Sequence, residues 1–146
     1  MNKDRIMVYI DNQSEIKKCV ETQFPFFIAH EYHRFYELLE KCQLFGAFFE
    51  MKDVLEVLLK FPILVGTAYI ESKREPEEGK RCLETLIAHP LSLGQWAAYG
   101  NDLRKILQKD EAAKPLYQVL RSILQLYNRT GVVNWRNTRI GHGAVA

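Results

Sequence analysis

Apolar residues recur every three or four positions along most of the chain, the spacing that places them on one face of an α-helix. The stretch 26–42 (FFIAHEYHRFYELLEKC) predicts a first long helix, and Pro25 stands just before it, where a first-turn proline is tolerated. A second pattern over about 45–70 is apolar on more than one side in its second half. It predicts the central helix of a bundle, kinked at Pro62 because proline lacks a backbone donor.

Turn and capping signals divide the second half of the chain. The charged run 71–80 (ESKREPEEGK) predicts an exposed loop, which is followed by a short helix over 80–88. Ser92 is the predicted N-cap of the next helix. A last helix begins near residue 114, and Gly131 is its predicted terminator.

These elements predict the fold class. Only the run 6–10 (IMVYI) is strand-like, and one isolated strand cannot form a sheet. The predicted fold is therefore all-α: an antiparallel up-and-down bundle of five or six helices over 24–146, preceded by an N-terminal extension over 1–23. The Phe and Tyr side chains between Phe24 and Phe49 are expected in its core, and the carboxylates mainly on exposed helix faces.

Length, composition and charge exclude some classes of protein. A length of 146 residues suits one domain, and 47% apolar with 26% charged residues excludes a disordered or collagen-like chain. The net charge is only +2, but residues 101–146 hold eight Lys/Arg against three acids, a balance of +5 that leaves −3 for residues 1–100. A basic C-terminal third can attract a phosphate backbone although the whole chain is not a polycation.

The cysteines and the hydropathy pattern indicate in which cellular compartment the protein is expected. Three cysteines without CxxC spacing indicate reduced thiols rather than a disulfide framework or a zinc site. No signal peptide is visible at the N-terminus. The longest apolar stretch is interrupted by two charges and a proline, and it is shorter than the roughly 20 residues that a bilayer requires. We expect a cytoplasmic protein without membrane contact.

Several familiar kinds of site are excluded by their spacing. His30 and His33 are the first and last residues of HEYH, which is not the HExxH spacing that directs two imidazoles to one zinc ion. Both are therefore expected in the core or at a helix interface. The chain has neither a phosphate-binding glycine loop nor a serine in a nucleophile elbow. We expect no metal and no cofactor.

One segment, 136–142 (RNTRIGH), combines side chains that can cleave RNA without a metal. A base must remove the proton of the ribose 2′-hydroxyl, a fixed cation must stabilise the phosphorane, and an acid must protonate the departing 5′-oxygen. The imidazole of His142 suits proton transfer near neutrality, and the planar guanidinium of Arg136 suits two phosphoryl oxygens. Asn137 can orient a phosphate or fix the loop through backbone contacts.

This segment resembles the signature of HEPN domains, which are all-α bundles marked by Arg, a polar residue, and His after four to six intervening positions. Here five residues separate Arg136 from His142, and Asn137 is the polar residue. The segments FPFFIAHEYHRFYELLE, LSLGQW and RNTRIGHGA also resemble N-terminal HEPN-type regions of larger bacterial multidomain proteins, some of them linked to antiviral defence.

The resemblance implies a metal-independent endoribonuclease that leaves a 2′,3′-cyclic phosphate and a 5′-hydroxyl. It implies His142 as the acid/base group, Arg136 as the phosphate and transition-state cation, Asn137 as the supporting polar residue, and Arg139 as an auxiliary phosphate contact. It further implies RNA as the partner and a homodimer in which two motifs face one cleft. A toxin or antiviral defence system is the implied setting.

Other interpretations stay open. The segment can be structural, with Arg136 and Asn137 capping a turn and His142 on the surface. The domain can be a non-catalytic helical dimerisation module, or a nucleotide-binding module, that regulates an attached effector or pairs with an antitoxin protein. Since only four residues follow His142, we also expect the helix after the motif to be truncated and a further C-terminal domain to exist in the full protein.

Overall fold

The computed structural model describes residues 14–73, 80, 84, 86–88, 90–132 and 134, and within them the chain is helical without a strand. The described residues contain five α-helices with defined bounds: α1 (Ser14–Gln23), α2 (Phe26–Glu40), α3 (Leu44–Lys73), α4 (Leu93–Leu107) and α5 (Lys114–Thr130), with a 3-10 turn at Glu111–Ala113 before α5. The all-α prediction is confirmed. The strand-like run 6–10 lies outside the described residues.

The chain divides into two compact units, Met1–Leu58 and Leu59–Ala146, and the division falls within α3. In the first unit, α1 and α2 run antiparallel, because Lys17 pairs with Glu40 and Glu21 pairs with His33. A tight connection then returns the chain into α3. Its Cys42 has a left-handed φ of 56°.

The core of the first unit lies between α2 and α3. Tyr36, Leu39 and Ala47 are buried together, and Leu38 packs 3.3 Å from the position of a Cβ on Gly46. α1 contributes no buried residue to this core, although it contacts α2. The buried residues described in the first unit therefore come from α2 and α3.

In the second unit, the C-terminal part of α3 runs parallel to α4. Residue numbers increase in the same direction along both partners of these contacts. Ile63 contacts Gly100, Gly66 contacts Leu103, and Tyr69 forms a hydrogen bond with Asp110, just after α4. Residues 80, 84, 86 and 87, which lie between α3 and α4 in the sequence, are helical. α5 follows α4 after a short connection and packs on it.

Two glycines permit a close approach of helices in the second unit. A Cβ on Gly66 would lie 2.9 Å from Cδ2 of Leu103, and one on Gly100 would lie 2.9 Å from Cδ1 of Ile63. Neither position has room for a larger side chain unless buried leucine or isoleucine atoms move. The two glycines thus set the distance at which α3 and α4 pack.

The predicted helix ends are confirmed. The Ser92 hydroxyl accepts a hydrogen bond from the Gln95 backbone N–H, and the Gln95 side chain accepts one from the Ser92 backbone N–H, which forms a capping box. α5 ends at Gly131, whose φ of 62° is the left-handed conformation that glycine adopts without strain.

The prediction that the aromatic residues between Phe24 and Phe49 form the core is wrong for part of the set. Tyr36 is buried, but Phe26 and Phe45 remain 82% and 79% exposed. Both phenylalanines lie in the first turn of their helices, and no described element covers them. Helical spacing places residues on one face, but only a neighbouring element can bury that face.

Candidate functional site

The residues predicted to cleave RNA lie outside the part of the chain that the structure describes: Arg136, Asn137, Arg139 and His142. The described chain leads up to this segment through α5. Leu120, Leu124 and Tyr127 anchor α5 in the second unit, and Val132 is buried after the helix ends. The backbone is therefore held by apolar packing until four residues before Arg136.

The outer face of α5 is polar and basic. Gln118, Arg121, Gln125 and Arg129 are exposed and follow one another at intervals of three and four residues, so they form one stripe. Within the described residues, neither arginine has an ion-pair partner. The sequence contains no Asp or Glu after Glu111. This stripe can attract an anionic polymer, and it precedes the predicted motif in the sequence.

The structure buries one carboxyl group that the sequence pattern predicts on an exposed helix face. Glu50 was expected on an exposed helix face, but the residue is only 5% exposed. The signal was present in the sequence, because Glu50 follows Ala47 by three positions and precedes Val54 by four. All three residues are buried on one face of α3.

Glu50 is only partly compensated by its neighbours. Its Oε2 lies 3.3 Å from Nη2 of Arg34, whereas its Oε1 is buried and has no hydrogen-bond donor in the structure. The Glu31 carboxyl lies within hydrogen-bonding reach. Burying a charged carboxylate with one oxygen unsatisfied is costly, so the environment favours the protonated form of Glu50.

The pKa values of the two carboxyl groups are displaced in opposite directions. Burial, together with the hydrogen bond to Glu31, raises the pKa of Glu50 to about 7, although the nearby Arg34 opposes the rise. The hydrogen bond from Glu50 lowers the pKa of Glu31, with a smaller contribution from His30. These opposite displacements favour a protonated Glu50 beside an ionised Glu31.

His30 and His33, expected in the core or at a helix interface, are both exposed. His33 does bridge two helices, since its Nδ1 lies 2.8 Å from Oε1 of Glu21, but its side chain is 56% exposed. His30 Nδ1 lies 3.3 Å from Glu31 Oε1, and its ring is tilted by 37° against that of Phe26, with the ring centroids 5.8 Å apart. No group of His, Cys, Asp and Glu in the described part of the chain is arranged to hold a metal ion.

A second polar pair has a structural role. Tyr69 donates a hydrogen bond of 2.8 Å to Asp110, whose other carboxylate oxygen accepts from the Ala112 backbone N–H. This arrangement lowers the pKa of Asp110 and raises that of Tyr69. The pair fixes α3 to the start of the 3-10 turn.

None of the helices in the described residues combines the length and the apolar character needed to cross a bilayer. Comparison of the chain with protein-family models, with curated proteins and with solved structures gives no match.

Proposed function

We propose that this chain is a metal-independent endoribonuclease domain of the HEPN type. The observation that carries the proposal is the RNTRIGH segment, in which two guanidiniums, one amide and one imidazole lie within seven residues. These are the side chains that 2′-hydroxyl attack on an RNA phosphodiester requires.

In the proposed reaction, the 2′-oxygen attacks the adjacent phosphorus and displaces the 5′-oxygen of the next nucleotide. His142 acts as the acid/base group, and Arg136 stabilises the negative charge on the phosphorane. Asn137 supports the bound phosphate, and Arg139 provides an auxiliary contact. The products carry a 2′,3′-cyclic phosphate and a 5′-hydroxyl.

Two properties of the described chain support this proposal. The fold is all-α, as the HEPN resemblance implies. The exposed stripe on α5, with Arg121 and Arg129, continues in sequence into the motif through a tract of 35 residues, 112–146, that holds five Lys/Arg and no acid. This tract therefore offers a phosphate backbone several cations and no carboxylate of its own.

The proposed partners are RNA and a second copy of this chain, so that two motifs face one cleft. A toxin or antiviral defence system, with an attached effector domain or an antitoxin protein, is the proposed setting, and the cytoplasm is the proposed location.

The experiment that tests the proposal is an RNA cleavage assay in the presence of EDTA. We expect cleavage at an unchanged rate, because no step uses a metal ion. The product ends are identified by mass spectrometry, and RNA with a 2′-deoxy substitution at the cleaved position is the matched control. Cleavage of the 2′-deoxy substrate, or loss of all cleavage in EDTA, would contradict the mechanism.

A second candidate function is a non-catalytic dimerisation or interaction module. The exposed phenylalanines of the first unit favour it, since Phe26 and Phe45 are large apolar side chains that remain mostly in solvent. Phe45 also packs edge-on against the part-exposed Phe49, with ring centroids 4.9 Å apart. Aromatic side chains, phenylalanine among them, are enriched at protein interfaces relative to the rest of the surface.

If the module interpretation is correct, replacing Phe26 and Phe45 by serine weakens association by about 30-fold or more, the effect of losing an interface hot spot. Analytical ultracentrifugation measures the change. Val119→Ser, on half-exposed Val119 of α5, is the control for a general loss of apolar surface. Unchanged association in the Phe26→Ser/Phe45→Ser variant would exclude these rings from the interface.

A further inference from the structure

The hydrogen-bonding requirements of the Glu50 carboxyl are not met when it is ionised. Its side chain is 6% exposed, one oxygen faces Arg34, and the other has no donor. The Glu31 carboxyl, on the neighbouring helix, is a hydrogen-bond acceptor when ionised. A hydrogen bond between two carboxyl groups requires a proton on one of them, and Glu50 is the more buried of the two.

We propose that Glu50 and Glu31 share one proton across the α2–α3 hairpin, and that loss of this proton loosens the hairpin, so that the first unit responds to pH near neutrality. The shared proton supplies the donor that the buried Glu50 lacks. Its loss leaves two carboxylates side by side, with Arg34 as the compensating cation.

The charged groups around Glu50 determine the direction of the response. From α2 it faces Glu31 and Arg34, and His30 lies beyond Glu31. From its own helix it faces Asp53, whose charge also opposes ionisation of Glu50. The charged groups on α1 that bridge to α2, Lys17 and Glu21, are paired with Glu40 and His33.

The sign of the effect follows from the raised pKa of Glu50. The folded chain binds this proton up to about pH 7, whereas the carboxyl of an unfolded chain releases it near its ordinary value of 4.5. Between these values the folded state holds more protons than the unfolded state, so stability falls as the pH rises. The lowered pKa of Glu31 acts at lower pH, where its stabilising contribution is lost as the pH falls.

The direct test is a carbon-13 NMR titration of the glutamate side-chain carboxyls in the full 146-residue chain. We expect Glu50 to titrate near pH 7. In Glu31→Gln the acceptor carboxylate is gone, and we expect the Glu50 titration to move toward lower pH. A Glu50 titration near 4.5 in the wild-type chain would overturn the proposal.

The second test compares urea unfolding of the wild type and Glu50→Gln between pH 5 and 8. The glutamine amide is neutral and can still donate to Glu31, so we expect similar folding equilibria at pH 5. At pH 8 we expect the wild type to be the less stable by a factor on the order of 10² in the folding equilibrium constant.

Glu40→Gln, on an exposed glutamate of the same hairpin, is the control and should follow the wild-type pH profile. Taking the ratio of wild type to variant removes the titration of the histidines, which both chains share. A constant ratio across this pH range would also overturn the proposal.

Discussion

Replacing His142 by alanine is expected to lower RNA cleavage by about 10²–10⁴-fold, the usual effect of losing a general acid/base group. The substitution removes the imidazole that transfers protons but leaves the guanidinium of Arg136 in place. RNA affinity should therefore change little. Single-turnover cleavage with excess protein, together with a separate binding measurement, distinguishes the two effects.

Arg136→Ala is expected to reduce cleavage comparably, because the phosphorane loses its fixed positive charge. Arg139→Gln should have a smaller effect. His33→Ala, on an exposed histidine of α2, is the matched control for removal of an imidazole and should cleave as the wild type does. Full activity of the His142→Ala chain would contradict the proposed mechanism. The non-catalytic interaction module would then be the favoured function.

Leu124→Ala is expected to destabilise the chain by about 2–5 kcal/mol, the range for truncating a fully buried leucine. Leu124 is 2% exposed, and its Cδ2 lies 3.4 Å from the position of a Cβ on Gly100, at the α4–α5 contact. Because α4 and α5 already pack closely there, we expect the truncated side chain to leave a cavity that the neighbouring helix does not fill. Urea unfolding followed by circular dichroism measures the loss.

Leu126→Ala, two residues further along the same helix, provides the comparison. Leu126 is 47% exposed, so its truncation should cost less than about 1 kcal/mol. The helix propensity and the chemical change are identical in the two variants, and only burial differs. Equal losses in both would contradict the packing of α5 described above.

The helices α2 to α5 were predictable from the sequence because their signals are local, whereas α1 lies in the segment 1–23 that was predicted only as an N-terminal extension. Ser92 with Gln95 marks the start of α4, and Gly131 marks the end of α5, through hydrogen bonds and backbone angles that involve only nearby residues. The apolar spacing predicted a helix over about 45–70 and the structure has Leu44–Lys73. No such local rule predicted that Gly66 and Gly100 set a helix contact, since each meets a side chain distant in sequence.

The electrostatics could be predicted only in part. The basic character of the C-terminal third follows from counting residues, and the exposed arginines of α5 agree with it. The raised pKa of Glu50 required knowledge of its neighbours, because Glu31 and Arg34 lie 19 and 16 positions away in sequence. The cleavage roles of Arg136 and His142 remain predictions from the motif.

The sequence by itself determined that this chain folds as helices, where several of them end, and which residue types stand together in RNTRIGH. Only the tertiary structure decided that Glu50 is buried beside another carboxyl and that Phe26 and Phe45 are left in solvent. The physical reason is that hydrogen bonding within a helix acts between residues three or four positions apart. Burial and pKa values depend instead on which side chains from distant parts of the chain displace water.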